Sequence, residues 1–255
     1  MTNKIPQTVI DFILEDTRNP DNNIKREDVP LRDRANFDRV TKFKKYSRPI
    51  VEDFNNHGFK IVHLQELRFV PEYINDETVI ILSIKWLKEA TNELIRDELM
   101  DIILQNSHIK KHLDVIIPLA IEQWKHTLPT ERIVRVAAGN IIWRYAREKD
   151  FDQIMSFLKF VEKRDYDKVG TTDERWYFIE ALGRMRKHPV VNILIKYLSD
   201  ERVESSAIVA LGNQKDPQVL PYLKPFLNHK YSHVRDYARR AIAKIEKAQE
   251  KKNDK

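Results

Sequence analysis

The sequence predicts an all-α chain built as an array of stacked, antiparallel helix pairs, and three observations predict it. Ala181-Leu182-Gly183 recurs 29 positions on as Ala210-Leu211-Gly212. Under the same shift Val190, Leu194, Tyr197 and Leu198 fall on Val219, Leu223, Phe226 and Leu227. Next, Val203, Ala207, Ala210 and Leu211 recur 31 positions on as Val234, Ala238, Ala241 and Ile242. Self-similarity at such a period marks an architecture in which each unit buries its apolar face on the next. Finally, only 5 of the 255 residues are glycine. No alternating apolar and polar run is long enough to build a sheet.

The elements follow in order. Ile5, Val9, Phe12 and Ile13 predict a short amphipathic helix over Ile5–Arg18. Asn19–Pro30 reads as a polar loop closed by prolines. Arg34–Asn56 reads as helical, with Phe37, Val40, Phe43, Ile50, Val51 and Phe54 as its apolar set. Pro49 is expected to split or kink it, and Gly58 to end it in the left-handed cap conformation. Phe59–Tyr73 reads as a loop, in which KIVHL as a short strand or extended connector and LQELRF as one helical turn are the alternatives. From Asp76 onward short helices alternate with polar breaks, at about Glu77–Ala90, Asn92–Gln105, Lys111–His126, Thr130–Arg147, Phe151–Lys163, Asp173–Arg186, Pro189–Ser199, Arg202–Gly212, Pro217–Leu227 and His233–Gln249. Asn75-Asp76, Thr130-Glu131, Thr172-Asp173 and Asp216 before Pro217 are the expected start signals. Gly183 and Gly212 are expected to end helices, with a place inside a last helical turn as the alternative. The domain division expected is residues 1–74 as an N-terminal helical cap, 75–250 as the array and 251–255 as a disordered basic tail.

Composition excludes several classes. With no cysteine there are no disulfides, thiolate zinc sites or cysteine nucleophiles. No run of about 18 apolar residues suggests a membrane span. Acids interrupt the first residues too early for a signal peptide. The expected location is cytoplasmic. Of the net charge of +6, the segment from His229 onward supplies +5, nine bases against four acids. A polar, basic end suits the cap that a repeat array needs.

The pattern Val-Arg-x-x-Ala-x-x-Ala-Leu/Ile, then a glycine turn, then Asp-Pro before a Leu-rich helix, resembles the HEAT repeat. The unit length near thirty residues is similar to that of the short bacterial variety, which includes the repeats of phycobilin lyases. The resemblance is strong over Thr130–Gln249 and does not reach the first seventy residues. It implies a right-handed α-solenoid of antiparallel helix pairs. It also implies a macromolecular partner, on a concave surface lined by the second helix of each pair.

Those second helices carry the candidate binding residues Lys125, Lys159, Lys163, Asn192, Lys196 and Lys224. A lysine-bearing groove suits an acidic partner, although any solvated helix face has a similar composition. Arg135 and Arg235 each follow a repeat valine and are expected to pair with an acid near the preceding turn. His108 with His112, and His229 with His233, stand four apart but form no known metal motif. No phosphate loop, GxSxG or marked carboxylate pair is present, so no catalytic residue, metal or cofactor is assigned. Trp86, Trp124, Trp143 and Trp176 read as core, with an exposed pair near Arg144 and Arg147 as the alternative. The expected function is a non-enzymatic scaffold for a protein partner. The alternatives are nucleic-acid binding, as in HEAT-like DNA glycosylases, and a chromophore lyase or chaperone, which rests on repeat type alone.

Ala138, Ala181, Ala207, Ala210, Ala238 and Ala241 are the small positions expected to let the paired helix approach closely. Ala210→Leu is therefore expected to cost roughly 1–3 kcal/mol by overpacking, read as a lowered midpoint in a thermal melt.

Overall fold

The computed structural model describes Glu27 and residues 34–125, 132–162, 173–186 and 189–253. Every regular element among them is a helix or a 3-10 turn, with no strand. The expected helix Ile5–Arg18, most of the loop Asn19–Pro30 and the start signal at Thr130-Glu131 lie outside the described residues. The chain divides into two compact units, one ending at Ile109 and one starting at Lys110, whereas the repeat pattern alone starts the array at residue 75.

The first unit contains α1 (Arg34–Asn56), α2 (Glu66–Phe69), α3 (Pro71–Ile74), α4 (Glu77–Glu89) and α5 (Glu93–Gln105). Helix α1 runs through Pro49 without a break, contrary to the expected split. It ends as glycine chemistry dictates. Gly58 has φ +93, and its N–H bonds the Asn55 carbonyl at 3.0 Å while the Phe59 N–H reaches back to the Phe54 carbonyl at 3.3 Å. This is the paired closure of a left-handed helix cap, with its usual apolar contact: the Phe54 and Phe59 rings meet edge-on at 5.5 Å.

The stretch after the cap is not a plain loop. The Asn55 amide grips the Ile61 backbone from both sides, accepting from its N–H at 3.0 Å and donating to its carbonyl at 2.9 Å. Glu66 then accepts the Val62 and His63 N–H groups at 2.9 and 2.7 Å, and the helical turns α2 and α3 follow. Asp76 and Asn92 cap α4 and α5 by accepting from Thr78 and Leu94. Asp76 was among the expected start signals.

The second unit contains α6 (Leu113–Lys125), α7 (Arg132–Tyr145), α8 (Phe151–Glu162), α9 (Arg175–Leu182), α10 (Val191–Lys196), α11 (Glu204–Gln214), α12 (Leu220–Leu223) and α13 (Ser232–Asn253). A 3-10 turn at Tyr197–Ser199 extends α10, and others at Pro217–Val219 and Lys224–Asn228 flank α12. Asp216 starts the segment as expected, accepting from the Gln218 N–H at 2.9 Å. Helix α13 continues to Asn253, so Lys251–Asn253 are helical and not a disordered tail.

Two layers emerge. Helices α7, α9, α11 and α13 pack on one another in sequence. Helices α6, α8, α10 and α12 each pack on the first-layer helix that follows them in the chain. The repeat alanines Ala138, Ala181, Ala207, Ala210 and Ala238 are fully buried, as are Leu194 and Leu223. Each such leucine contributes about 1.5–3 kcal/mol of apolar burial. Leu227, also expected to fill the space between units, is 37% exposed. It sits in the 3-10 turn Lys224–Asn228, whose tighter winding breaks the α-helical register.

Gly183 is the C-cap of α9, as expected, and Gly212 falls in the last turn of α11, the alternative; both also do a further job. Gly183 follows α9 with φ −57, and Gly212 lies within α11. Lys215 takes the left-handed cap position instead, at φ 57. What the glycines supply is room. A Cβ at Gly183 would lie 2.6 Å from the Ala210 Cα, and one at Gly212 would lie 2.8 Å from the Ala241 Cα. The small residues thus admit the equivalent helix of the next unit, not the partner helix within a pair. Gly139 clears the ring of Tyr177 in the same way.

Gly212→Ala separates these roles by sign. Helix propensity alone would stabilise α11 by about 0.5–1 kcal/mol, whereas steric exclusion is expected to cost about 1–3 kcal/mol. The urea midpoint is expected to fall with an unchanged slope.

Candidate functional site

The first-layer helices of the second unit begin along one edge, where charges are matched. Arg135 and Glu174 are both almost fully buried, and the Arg135 Nε donates to the two Glu174 oxygens at 2.7 and 3.0 Å. This acid belongs to the following unit, 39 residues on; the turn that precedes α7, where an acid was expected, lies outside the described residues. Arg175 bonds Asp173 and reaches Asp200 at 2.5 Å. Arg202 closes on Asp200 at 3.1 Å, Lys230 on Glu201 at 3.0 Å, and His229 faces Glu204 at 3.3 Å. Burial alone would raise the Asp200 pKa, but the bonds from Arg202 and Arg175 outweigh it and hold it down to about 2. Arg235 meets no acid in this row. Its guanidinium donates to the His229 and Lys230 carbonyls at 2.6 and 3.1 Å.

This edge is structural. Truncating one member of a buried pair leaves an uncompensated charge, which is strongly destabilising, so these side chains are committed to holding units together. The same helices are also cross-linked by polar side chains farther along their length. Glu180 on α9 accepts from the Trp143 indole at 2.9 Å and the Ser206 hydroxyl at 3.2 Å, bridging three successive helices. Gln214 donates to the Gly183 carbonyl at 3.0 Å.

Charge left for a partner lies elsewhere. Lys125 ends α6, Lys159 stands on α8, Asn192 and Lys196 on α10, and Lys224 just after α12; all five side chains are exposed. Lys163 lies outside the described residues. The same layer exposes apolar side chains that the charge pattern did not single out: Val115 on α6, Phe160 on α8, Tyr222 on α12 and Leu227. Their signal in the sequence was weak, because a repeat pattern predicts a core at most of these positions.

The other candidates are placed plainly. Trp124 is fully buried, and its ring meets those of Phe157 and Phe178. Trp143 and Trp176 are half-buried and meet edge-on at 5.8 Å. The His108 ring bonds the Asn75 carbonyl at 2.9 Å. No group of three histidine or acidic side chains among the described residues is placed to hold a metal ion.

A family model of HEAT repeats matches residues 170–243. This part of the chain is a HEAT-repeat array. The match covers α9–α12 and the first half of α13, the segment in which the glycine contacts and the matched charges recur. No curated protein matches the chain. No helix among the described residues is long and apolar enough to cross a membrane.

The first unit has two features of its own. A cleft of about 100 Å³ is lined by Tyr46, Ile50, Trp86, Glu89 and Ile95. Asp53 beside it accepts from the Trp86 indole at 2.7 Å and from Lys85 at 2.9 Å. On α5, Asp97, Glu98 and Asp101 gather around Arg68 from α2, which lies 2.9 Å from both Glu98 and Asp101. Burial pushes the Glu98 carboxyl up to about 7 against the opposing charge of Arg68, with Asp101 and Asp97 adding to the rise. Asp97 is pushed up to about 6, again by burial first.

A carboxyl that holds its proton more tightly when folded stabilises the fold below its unfolded value, near 4.5, and loses that contribution as pH rises through its folded value. Glu98→Gln mimics the protonated form permanently. The variant is expected to match the wild type at pH 5 and to exceed it at pH 8, read as hydrogen-exchange protection of the α5 amides.

Proposed function

We propose that the array is a non-enzymatic scaffold that binds a protein partner through its second-layer helices. The observation that carries this reading is the company the lysines keep. Lys159 neighbours the exposed Phe160, and Lys224 lies between the exposed Tyr222 and Leu227. Large apolar side chains left in water beside a cationic rim are the usual make-up of a protein-binding surface. Aromatic anchors supply the affinity in such surfaces, and charge sets orientation and encounter rate. The row Lys125, Lys159, Asn192, Lys196 and Lys224 crosses four successive second-layer elements, so an acidic, extended partner surface suits it. In a right-handed HEAT superhelix these elements line the concave side. Lys163 belongs to the same proposed row.

Photo-crosslinking in the native cell tests the reading. A benzophenone side chain in place of Lys159, and separately of Lys196, is expected to capture the same protein. Tyr222→Ala, and separately Tyr222→Glu, is expected to reduce that capture at least ten-fold without shifting the thermal midpoint. Unrelated proteins at the two positions, or capture indifferent to the aromatic substitutions, would rule the surface out.

A further inference from the structure

Helix α13 is the last described helix of the chain, and exposed cations line up along one part of its solvated side. His233, Tyr237, Arg240, Lys244, Lys247 and Lys251 recur at alternating steps of four and three, and all six are exposed. Residues so spaced share one stripe along a helix, here about 27 Å long at 1.5 Å per residue. The acids Asp236, Glu250 and Glu246 lie about 60°, 100° and 140° round the helix from the midline of that stripe, at 100° per residue. Asp236 is occupied with Arg239. Arg240, Lys247 and Lys251 have no carboxylate within ion-pair distance among the described residues. Lys244 bonds the neutral Asn213 side chain, and the Asn213 carbonyl holds Arg186 at 3.0 Å. A further exposed cation from the preceding unit thus joins the stripe.

Rings gather at its head. Tyr231 and His233 stack with centroids 5.7 Å apart and planes within 17°. His233 meets Tyr237 edge-on at 6.4 Å. Tyr231 is 49% exposed and Tyr237 37%. From Arg240 to Lys251 the stripe carries no exposed large apolar side chain, so it lacks the apolar centre that a protein interface needs. Flat rings beside a line of fixed cations are instead what a single strand requires, stacking surfaces for bases and positive charge for phosphates. A duplex keeps its base faces covered and would leave the rings unused.

We propose that this stripe binds single-stranded nucleic acid, with Tyr231, His233 and Tyr237 receiving bases and Arg240, Lys244, Lys247 and Lys251 following the phosphates. It lies on a different helix from the second-layer lysines and stands or falls independently of them.

Fluorescence anisotropy with the full chain tests the proposal, using labelled 20-nucleotide oligouridine and oligothymidine, a 20-base-pair duplex and polyglutamate. Single strands are expected to bind most tightly. Four displaced counterions give an affinity loss of about 50-fold between 50 and 200 mM salt. Arg240→Glu with Lys247→Glu is expected to weaken binding at least ten-fold, and Tyr237→Ala about ten-fold, with unchanged thermal midpoints. Lys45→Glu with Lys88→Glu makes the same change in net charge elsewhere and is expected to alter binding less than two-fold. Absence of binding at 50 mM salt would overturn the proposal. So would equal losses in the control variant, or duplex or polyglutamate binding as tight as that of the single strands.

Discussion

The array depends on how closely its first-layer helices approach. Gly183 lies against Ala210, and Gly212 against Ala241, with backbones so near that even a methyl group has no space. That approach sets the spacing at which everything else operates. It brings the Gln214 amide within reach of the Gly183 carbonyl and lets Glu180 span from Trp143 to Ser206. Dispersion and apolar burial then act along a continuous, close-packed row. Polar cross-links along the helices fix the height of one helix relative to the next.

This arrangement divides the charged residues by task. At the starting ends of the first-layer helices, arginine and acid are matched and largely withdrawn from water, as Arg135 with Glu174 and Arg175 with Asp173 show. Such groups cannot be lent to a ligand without exposing a buried partner. The second layer and α13 have surface to spare. Their lysines are solvated, and they carry aromatic side chains that remain partly exposed. The stability of the array and its capacity to bind are therefore carried by different side chains, and substitutions on the binding surfaces can change recognition with little effect on the fold.

Much of the architecture was legible in the sequence, because repeats leave a periodic trace. The buried alanines, the ending of α1 at Gly58 and the starts at Asp76 and Asp216 all follow from local chemistry that a sequence displays. The further role of Gly183 and Gly212 was not legible. A residue without a side chain looks the same whether it relieves backbone strain or admits a neighbour, and Lys215 carries the strained conformation without any compositional sign. The bond from Arg135 to Glu174 was not legible because the acid lies 39 residues away, beyond the reach of turn-level reasoning. The helical turns within Phe59–Tyr73 were not decided by the sequence because they are held by the side chains of Asn55 and Glu66, not by propensity. The exposed lysines could be listed from their spacing, but not the apolar side chains that accompany them. Exposure at Leu227 follows from local 3-10 winding, which periodicity does not report.

The contact between Gly212 and Ala241 also limits how this protein can change in length. One residue inserted early in α13 would rotate Ala241 by about 100° and put a larger neighbour against the glycine. The loops can absorb such an addition; the helices cannot. Growth or shrinkage of the array is thus restricted to whole hairpins, and its size should vary in discrete steps.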